Sequence, residues 1–302
     1  MADAAAPAER TIPGLTPALK RRLRASFACL SRISPGLAAR LALRLFTRPL
    51  PRPVSQEDRL FLAGAEGTTL ETSNGGVRVY EWPAAGPRVL LVHGWRSHSG
   101  RLRHLIESLH ARGLRVVAFD APGHGRSRGR HLDLDIHRDT ISAVSGGFGP
   151  FDAVLAHSFG ALTTLSWLAQ SAQAASVRAA VLIGVPRDAG YLFDGFVDVL
   201  GLAPAVIEHT RRHFRRRFGT DPERFCARAF ARQVRPPVLL LHGAADELVP
   251  PAHSLEVGAC LSHARVQVID EFSHGAPLRE AAGVLAATDF IVAQLELERR
   301  AQ

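Results

Sequence analysis

One stretch decides the fold: residues 153–160 read AVLAHSFG. Its first half is continuously apolar, which is typical of a short strand buried on both faces. A helical pattern follows directly over residues 159–170. Ser158 therefore lies where a strand turns sharply into a helix. A turn of this kind exposes the serine hydroxyl and needs small residues two positions before and after it, which Ala156 and Gly160 supply.

Apolar runs alternate with amphipathic segments on both sides of this stretch. The alternation predicts a mostly parallel sheet with helices on both faces, preceded by a hairpin whose turn is Asn74-Gly75-Gly76. The predicted strands are 68–73, 77–82, 89–92, 116–119, 153–156, 180–185, 238–241 and 266–269. The predicted helices are 100–111, 133–145, 159–170, 252–261 and 278–298.

Two segments depart from this alternation. Residues 187–235 lie between two predicted strands and are helical, aromatic and rich in arginine, which indicates a cap inserted over the strand ends. Residues 1–59 form a basic helical extension ahead of the remaining domain, 60–302. Within the extension, Thr16-Pro17 and Ser34-Pro35 are helix start signals, and prolines 49, 51 and 53 indicate a linker.

The first of these two N-terminal helices carries an apolar stripe that begins at Leu19. In the second, Leu37, Leu41 and Leu45 form the apolar stripe, and Arg40, Arg44 and Arg48 form a basic stripe beside it. We expect the apolar stripes to dock onto the body of the following α/β domain or onto a second subunit. The alternative is peripheral attachment to an anionic membrane surface.

Polar loops follow three other predicted strands. His93-Gly94-Trp95 follows an early strand, Asp246 follows strand 238–241, and His274 follows strand 266–269. Open α/β sheets place their sites at the edge where such loops meet. A serine hydroxyl is a weak nucleophile unless a base accepts its proton, so a downstream histidine and an acid are needed.

These motifs, with the segment 120–127 (DAPGHGRS), resemble the α/β-hydrolase superfamily, in particular capped serine hydrolases such as esterases and lipases. They occur in the family's order over residues 68–298. The resemblance implies that Ser158 is the nucleophile, His274 the base and Asp246 its partner. It also implies that the backbone N–H groups of Trp95 and Phe159 bind the oxyanion. The histidine pairs His93/His98 and His131/His137 lack the spacing of a helical zinc pair, so neither a metal nor a cofactor is expected.

The roles of several other residues stay open on sequence alone. Asp188 is the alternative acid, and Glu247 is a weaker one. His157 is expected to point away from the nucleophile, and segment 120–127 to be structural. His93 and His124 are candidates to brace or line the pocket, and the cap is expected to roof it with apolar rings from Tyr191, Phe193, Phe196, Phe214 and Phe218.

We expect hydrolysis of an ester-like carbonyl in a small or medium apolar substrate. Thioester, lactone and carbon–carbon bond hydrolysis use the same triad and remain alternatives. A binding protein of this fold with little turnover is an alternative of a different class. Haloalkane dehalogenation is disfavoured, because relatives with that activity carry aspartate at the position of Ser158.

The composition sets further expectations. The net charge of +9 is concentrated in residues 1–59 and 203–235, so the chain is not uniformly cationic. The basic segments lack aromatic platforms, and nucleic-acid binding is not expected. Three distant cysteines and the absence of a long uncharged apolar run favour a reducing, cytoplasmic location without a membrane span. No signal peptide is expected; an organellar presequence and an oligomer remain open.

Overall fold

The computed structural model describes residues 15–50 and 52–301, with side chains as far as residue 296. The strands are β1 (Glu66–Thr72), β2 (Gly75–Trp82), β3 (Arg88–Val92), β4 (Arg115–Phe119), β5 (Ala153–His157), β6 (Ala179–Ile183), β7 (Val238–Gly243) and β8 (Ala264–Ile269). The helices are α1 (Pro17–Ile33), α2 (Pro35–Phe46), α3 (Gln56–Ala63), α4 (Arg103–Ala111), α5 (Leu134–Phe148), α6 (Phe159–Gln170), α7 (Ala189–Leu200), α8 (Pro204–Phe218), α9 (Ala227–Ala231), α10 (Ala252–Gly258) and α11 (Ala281–Ala301).

The eight strands form one sheet in the order β1-β2-β4-β3-β5-β6-β7-β8. The pairs β1–β2 and β2–β4 are antiparallel, and all other neighbours are parallel. This confirms the predicted α/β architecture. Because the parallel strands end at one edge, the residues that follow β3, β5, β7 and β8 are gathered there.

The central strands are buried on both faces, as their continuous apolar sequences predict. Every residue of β5 and β6 is buried, and so is nearly all of α6, which leaves the elbow and crosses the sheet. Full burial of one leucine or valine side chain stabilises the fold by about 1.5–3 kcal/mol. The elbow is thus anchored by the most deeply buried elements of the sheet.

The chain divides into two compact units. Residues 47–187 and 226–302 contain the sheet and are called the sheet unit below. Residues 15–46 and 188–225 contain α1, α2, α7 and α8 and are called the helical unit. The N-terminal helices and the segment inserted after β6 therefore belong to the same compact unit, although the sequence presents them as separate features.

Two segments join inside the helical unit through an apolar core and an arginine. Phe27 of α1 and Phe193 of α7 are both buried in this core. Arg24 donates from Nε to the Val199 carbonyl at 3.0 Å and from Nη2 to the Asp198 carbonyl at 2.9 Å. It thereby satisfies carbonyl groups at the C-terminal end of α7, which have no partner within the helix.

The buried face of α2 differs from the predicted one. Ala38, Ala39 and Ala42 have no exposed surface, whereas Leu37 and Leu41 are 54% and 42% exposed. Small residues let α2 approach its neighbours closely, and α8 packs against it. Two of the three leucines of the predicted stripe are therefore exposed, whereas Leu45 packs against the apolar core. Side-chain hydrophobicity alone does not reveal how close two helices come.

The linker prediction was also incomplete. The structure forms α3 between the prolines and β1, with Ser55 as its N-cap. The Ser55 hydroxyl oxygen accepts a hydrogen bond from the Asp58 N–H at 3.0 Å. A capping serine followed by acidic residues is a helix start signal, and the surrounding prolines concealed it.

Candidate active site

Ser158 occupies the turn between β5 and α6. Its backbone has φ 55° and ψ −123°, in the positive-φ region that costs a non-glycine residue on the order of 1–3 kcal/mol. The Ser158 N–H donates to the Ile183 carbonyl at 2.8 Å, and the Ser158 carbonyl accepts from the Ala161 N–H at 2.8 Å. The strained turn is thus held from both sides. The serine itself is half-buried at the sheet edge.

Asp246, in the loop after β7, is held at both carboxylate oxygens. Its Oδ2 accepts from His274 Nδ1 at 2.6 Å and lies 3.1 Å from His242 Nε2. Its Oδ1 accepts from the N–H groups of Leu248 and Val249, both at 2.9 Å. The carboxylate is therefore fixed in one orientation, and the His274 ring is oriented through Nδ1, which leaves Nε2 for a second partner.

The pKa of Asp246 lies below its ordinary value. Burial alone would raise this pKa, but hydrogen bonds from His242 and His274, and one from the Val249 N–H, stabilise the ionised form more strongly. Asp246 is consequently charged at neutral pH. A buried carboxylate beside His274 stabilises the imidazolium that forms when the histidine accepts a proton.

The His274 ring lies beside the elbow. Its centroid is 4.7 Å from that of His157, the residue before Ser158, and His157 Nε2 donates to the His274 carbonyl at 3.1 Å. A Cβ atom at Gly184, after the neighbouring strand β6, would lie 3.1 Å from His274 Cε1 and 3.7 Å from Asp246 Oδ2. The sequence-predicted serine, histidine and aspartate are therefore brought together at one edge of the sheet.

The two backbone amides proposed for the oxyanion lie on adjoining loops. Within residues 15–50 and 52–301, neither the Trp95 N–H nor the Phe159 N–H has a hydrogen-bond acceptor. The two rings meet edge-on with centroids 5.4 Å apart. A Cβ atom at Gly94 would lie 3.0 Å from Ser158 Cβ, so glycine is required for this loop to approach the elbow.

Two buried histidines brace the loop after β3 in their neutral forms. His93 donates from Nδ1 to the Gly94 carbonyl and accepts at Nε2 from the Ala121 N–H, at 2.8 and 2.9 Å. His124 accepts at Nε2 from the Arg96 N–H at 2.9 Å. Burial lowers the pKa of His93 to about 4. Burial, with a contribution from His93, lowers the pKa of His124 to about 3.

Segment 120–127 is tied down by the buried carboxylate of Asp120. Its Oδ1 accepts from the Ser99 N–H at 2.8 Å, and its Oδ2 accepts from the Arg126 N–H at 2.8 Å and the Tyr80 hydroxyl at 3.1 Å. These bonds connect the segment to β2 and to the loop after β3. They give Asp120 a structural part in holding the loops that surround the elbow.

The alternative acids have other surroundings. Asp188 is the N-cap of α7, and its Oδ1 accepts from the Tyr191 N–H at 2.7 Å. Glu247 is exposed. The hydrogen bond to His274 Nδ1 is made by Asp246.

The aromatic residues of the predicted cap divide into two groups within the helical unit. Phe193 and Phe214 are 0% and 1% exposed, so packing accounts for both rings. Tyr191 and Phe196 keep part of their surface exposed. Phe218 is also partly exposed, so Tyr191, Phe196 and Phe218 are the rings of this set whose surface is not fully used by packing.

Sequence reasoning missed three histidine contacts. His242 ends β7 and lies beside Asp246, and the one signal for it is a histidine within an apolar strand. His157 contacts His274, although the sequence predicted only that it faces away from the nucleophile. His137 Nδ1 shares a hydrogen bond of 2.9 Å with the Thr163 hydroxyl, and the His137 ring stacks on the Phe159 ring with the two centroids 5.5 Å apart.

The parts of the chain that the structure describes contain no group of three or more histidine, cysteine, aspartate or glutamate side chains placed to bind a metal ion. In those same parts, no helix combines the length and the apolar character needed to cross a bilayer. His93 Nε2 accepts from the Ala121 N–H, and His137 Nδ1 shares a hydrogen bond with the Thr163 hydroxyl.

The sheet order and the strand–turn–helix elbow at Ser158 are those of an α/β hydrolase, and comparison with known proteins gives the same class. A family model described as "Alpha/beta hydrolase family" matches residues 89–295. The chain therefore belongs to the alpha/beta hydrolase family.

Three similar proteins show how far this likeness extends. A non-heme haloperoxidase of Rhodococcus erythropolis is 28% identical over 255 residues, covering 68% of this chain and 92% of the relative. A monoacylglycerol lipase of Mycolicibacterium smegmatis is 48% identical over 65 residues, 20% of this chain and only 23% of the lipase. The crystal structure of Paleococcus ferrophilus monoacylglycerol lipase superposes with a TM-score of 0.55 at 21% identity, covering 72% of this chain and 99% of that one.

Proposed function

We propose that this chain is a serine hydrolase that cleaves an ester-like carbonyl in a small or medium apolar substrate. One observation carries the proposal: the His274–Asp246 pair lies beside a serine held in a strained strand–turn–helix elbow. Relatives named as lipases and esterases support ester-like substrates. The half-buried Trp95 ring, packed on Phe159, supports an apolar acyl group next to the elbow.

In the first step, Ser158 Oγ attacks the carbonyl carbon while His274 Nε2 accepts the hydroxyl proton. Asp246 holds the tautomer with the proton on Nδ1 and stabilises the positive ring. The carbonyl oxygen takes up negative charge, and the N–H groups of Trp95 and Phe159 donate to it. The carbon–oxygen bond of the ester then breaks, and His274 gives its proton to the leaving alcohol.

In the second step, water attacks the acyl-enzyme. His274 accepts one proton of the water, and the carboxylic acid leaves as Ser158 recovers its proton from the histidine. The same two amides stabilise the second oxyanion. Preorganised donors of this kind contribute on the order of 10²–10³ in kcat for each donor.

The test compares wild type with Ser158→Ala for fluorophosphonate labelling and for turnover of p-nitrophenyl esters of increasing acyl length. Ser262→Ala is the matched control, because Ser262 is an exposed serine outside the elbow. We expect labelling and turnover in wild type and in the control, and a loss of about 10⁴-fold or more in Ser158→Ala. A folded wild type with neither labelling nor turnover would overturn the proposal and favour a binding protein of this fold.

The long match to a non-heme haloperoxidase favours hydrogen peroxide as a second acyl acceptor besides water. Hydrogen peroxide in place of water would convert the acyl-enzyme to a peracid, and the peracid would oxidise bromide. An assay with acetate, peroxide and bromide tests this reaction, with Ser158→Ala as the control. Bromination that persists in Ser158→Ala would exclude a peracid formed at this serine.

The cytoplasm is the compartment we assign to the enzyme. The structure leaves Cys29, Cys226 and Cys260 unpaired, which supports a reducing environment. Fractionation of the source cells, followed by detection of the chain, tests this assignment.

A further inference from the structure

One face of α2 combines leucine and arginine on its exposed side. Leu37, Arg40, Leu41 and Arg44 follow each other at intervals of three, one and three residues, so they share one side of the helix. All four are exposed. Ile33, the last residue of α1, is 76% exposed and stands four residues before Leu37 in the chain.

The neighbouring helix α8 extends the positive charge of this face. Arg212 and Arg216 are exposed, and α8 packs against α2 within the helical unit. The pKa of His213 on α8 is lowered, first by burial and then by Arg40 and Arg216. Arg40 therefore lies within electrostatic reach of α8, and the two helices share one basic surface.

The acidic residues of the helical unit do not neutralise this surface. Residues 15–46 contain seven basic residues and no acidic one. Arg211 pairs with Asp194 and Glu223, and Arg215 pairs with Glu208 and Asp221. Among the described residues, Arg40, Arg44, Arg212 and Arg216 make no ion pair.

We propose that this surface binds an anionic lipid membrane, with Ile33, Leu37 and Leu41 entering the headgroup boundary and the unpaired arginines contacting lipid phosphates. We call this surface the Leu/Arg face; it consists of Ile33, Leu37, Arg40, Leu41, Arg44, Arg212 and Arg216. A basic helical surface with interleaved apolar side chains gains from both lipid charge and acyl chains. Each arginine near an anionic bilayer contributes about fivefold in affinity.

The leucines distinguish this occupant from nucleic acid. Phosphate contacts to DNA or RNA use arginine and gain nothing from exposed leucine between them. The Leu/Arg face also lacks the aromatic rings on which single-stranded bases stack. An anionic membrane is the partner for which both the leucines and the arginines of this face are useful.

The experiment measures co-sedimentation of the full chain with phosphatidylcholine vesicles and with vesicles that also contain phosphatidylglycerol. We expect binding to the anionic vesicles, weakened at about 1 M salt, where the Debye length is about 3 Å. Arg40→Gln/Arg44→Gln should weaken binding by about 25-fold. Leu37→Ser/Leu41→Ser should weaken it by about tenfold or more.

Two double variants in the sheet unit are matched controls. Arg235→Gln/Arg265→Gln removes the same charge, and Leu60→Ser/Leu255→Ser removes two leucines that are at least as exposed as Leu37 and Leu41. Both should change binding by less than about twofold, because surface charges and side chains outside the contact contribute little. Circular dichroism and the urea midpoint of every variant show whether it is folded.

Three outcomes would overturn the proposal. The first is equal binding to neutral and anionic vesicles. The second is an equal loss in the charge-matched control, which would mean that net charge alone drives association. The third is a chain that binds no vesicles but shifts duplex DNA in an electrophoretic assay, where the arginine variant loses DNA binding and Leu37→Ser/Leu41→Ser keeps it. That result would assign the face to nucleic acid.

Discussion

The sheet unit and the helical unit obtain their structure in different ways. In the sheet unit, hydrogen-bonded registers fix where each strand ends; Ser158 directly follows β5, and Asp246 comes three residues after the end of β7. In the helical unit, residues 15–46 meet residues 188–225, and side-chain packing fixes the arrangement. Sequence order is therefore informative about a site on the sheet, and less informative about the faces of helices.

The largest expected effect concerns the acid of the sheet unit. Asp246→Asn should lower kcat by about 10⁴-fold, because an amide in place of the carboxylate permits the wrong tautomer of His274 and leaves no charge to stabilise it. Asp188→Asn is the matched variant in the helical unit and should retain kcat within about twofold, since asparagine also caps helices well. Steady-state kinetics on a p-nitrophenyl ester measures both. A larger loss in Asp188→Asn would move the acid to the helical unit.

A smaller effect is expected at glycines with a left-handed backbone. Gly184→Ala should lower kcat by about 10- to 100-fold, because its new Cβ would press on the His274 ring and displace it. Gly219→Ala carries the same backbone strain at φ 70°, in the helical unit, with no atom within 4 Å of the new Cβ. The kcat of Gly219→Ala should be unchanged, while Gly184→Ala and Gly219→Ala should both have a lower free energy of unfolding than wild type. Equal kcat in the two variants would contradict the contact with His274.

The packing of α2 predicts an effect on stability rather than turnover. Ala39→Leu should lower the free energy of unfolding by about 1–3 kcal/mol, because the buried face has no room for a larger side chain. Leu41→Ala should change it by less than about 0.5 kcal/mol, because this leucine is exposed. Urea denaturation of both variants measures the difference. The reverse order would restore the leucine stripe as the buried face.

The smallest expected effect is a pH dependence from the buried histidines of the sheet unit. The pKa values of His93 and His124 are lowered to about 4 and about 3 in the folded protein. The unfolded chain therefore binds more protons below pH 6.5, and stability is full above that pH and falls as the pH drops towards 4. Each histidine should contribute about 1 kcal/mol of this loss between pH 7 and 5.5.

Urea midpoints at the two pH values measure this slope in wild type and in His124→Gln. The variant should be less stable at pH 7, because it loses the acceptor for the Arg96 N–H, and its stability should fall less on acidification. His131→Gln, at an exposed histidine of the same unit, is the control and should keep the wild-type slope. An unchanged slope in His124→Gln would show that this histidine is not kept neutral by folding.

The comparison also explains what could be predicted from sequence. The elbow and the loops of Asp246 and His274 follow from apolar runs and the residues after them, whereas the order of the strands in the sheet was not predicted. His242 was not predicted, because its contact with Asp246 depends on a loop that folds back over four residues. The buried alanines of α2 were not predicted, because close helix packing reverses the usual preference for leucine at the interface.

The assembly of the helical unit from two distant segments has a consequence for synthesis of the chain. About 140 residues separate Phe46 from Asp188. At about 5–20 residues per second, α1 and α2 are synthesised roughly 7–30 seconds before their partners exist. During that interval the alanine face of α2 and Phe27 lack the partners against which they pack in the folded protein, so this part of the nascent chain offers apolar surface that a chaperone can bind.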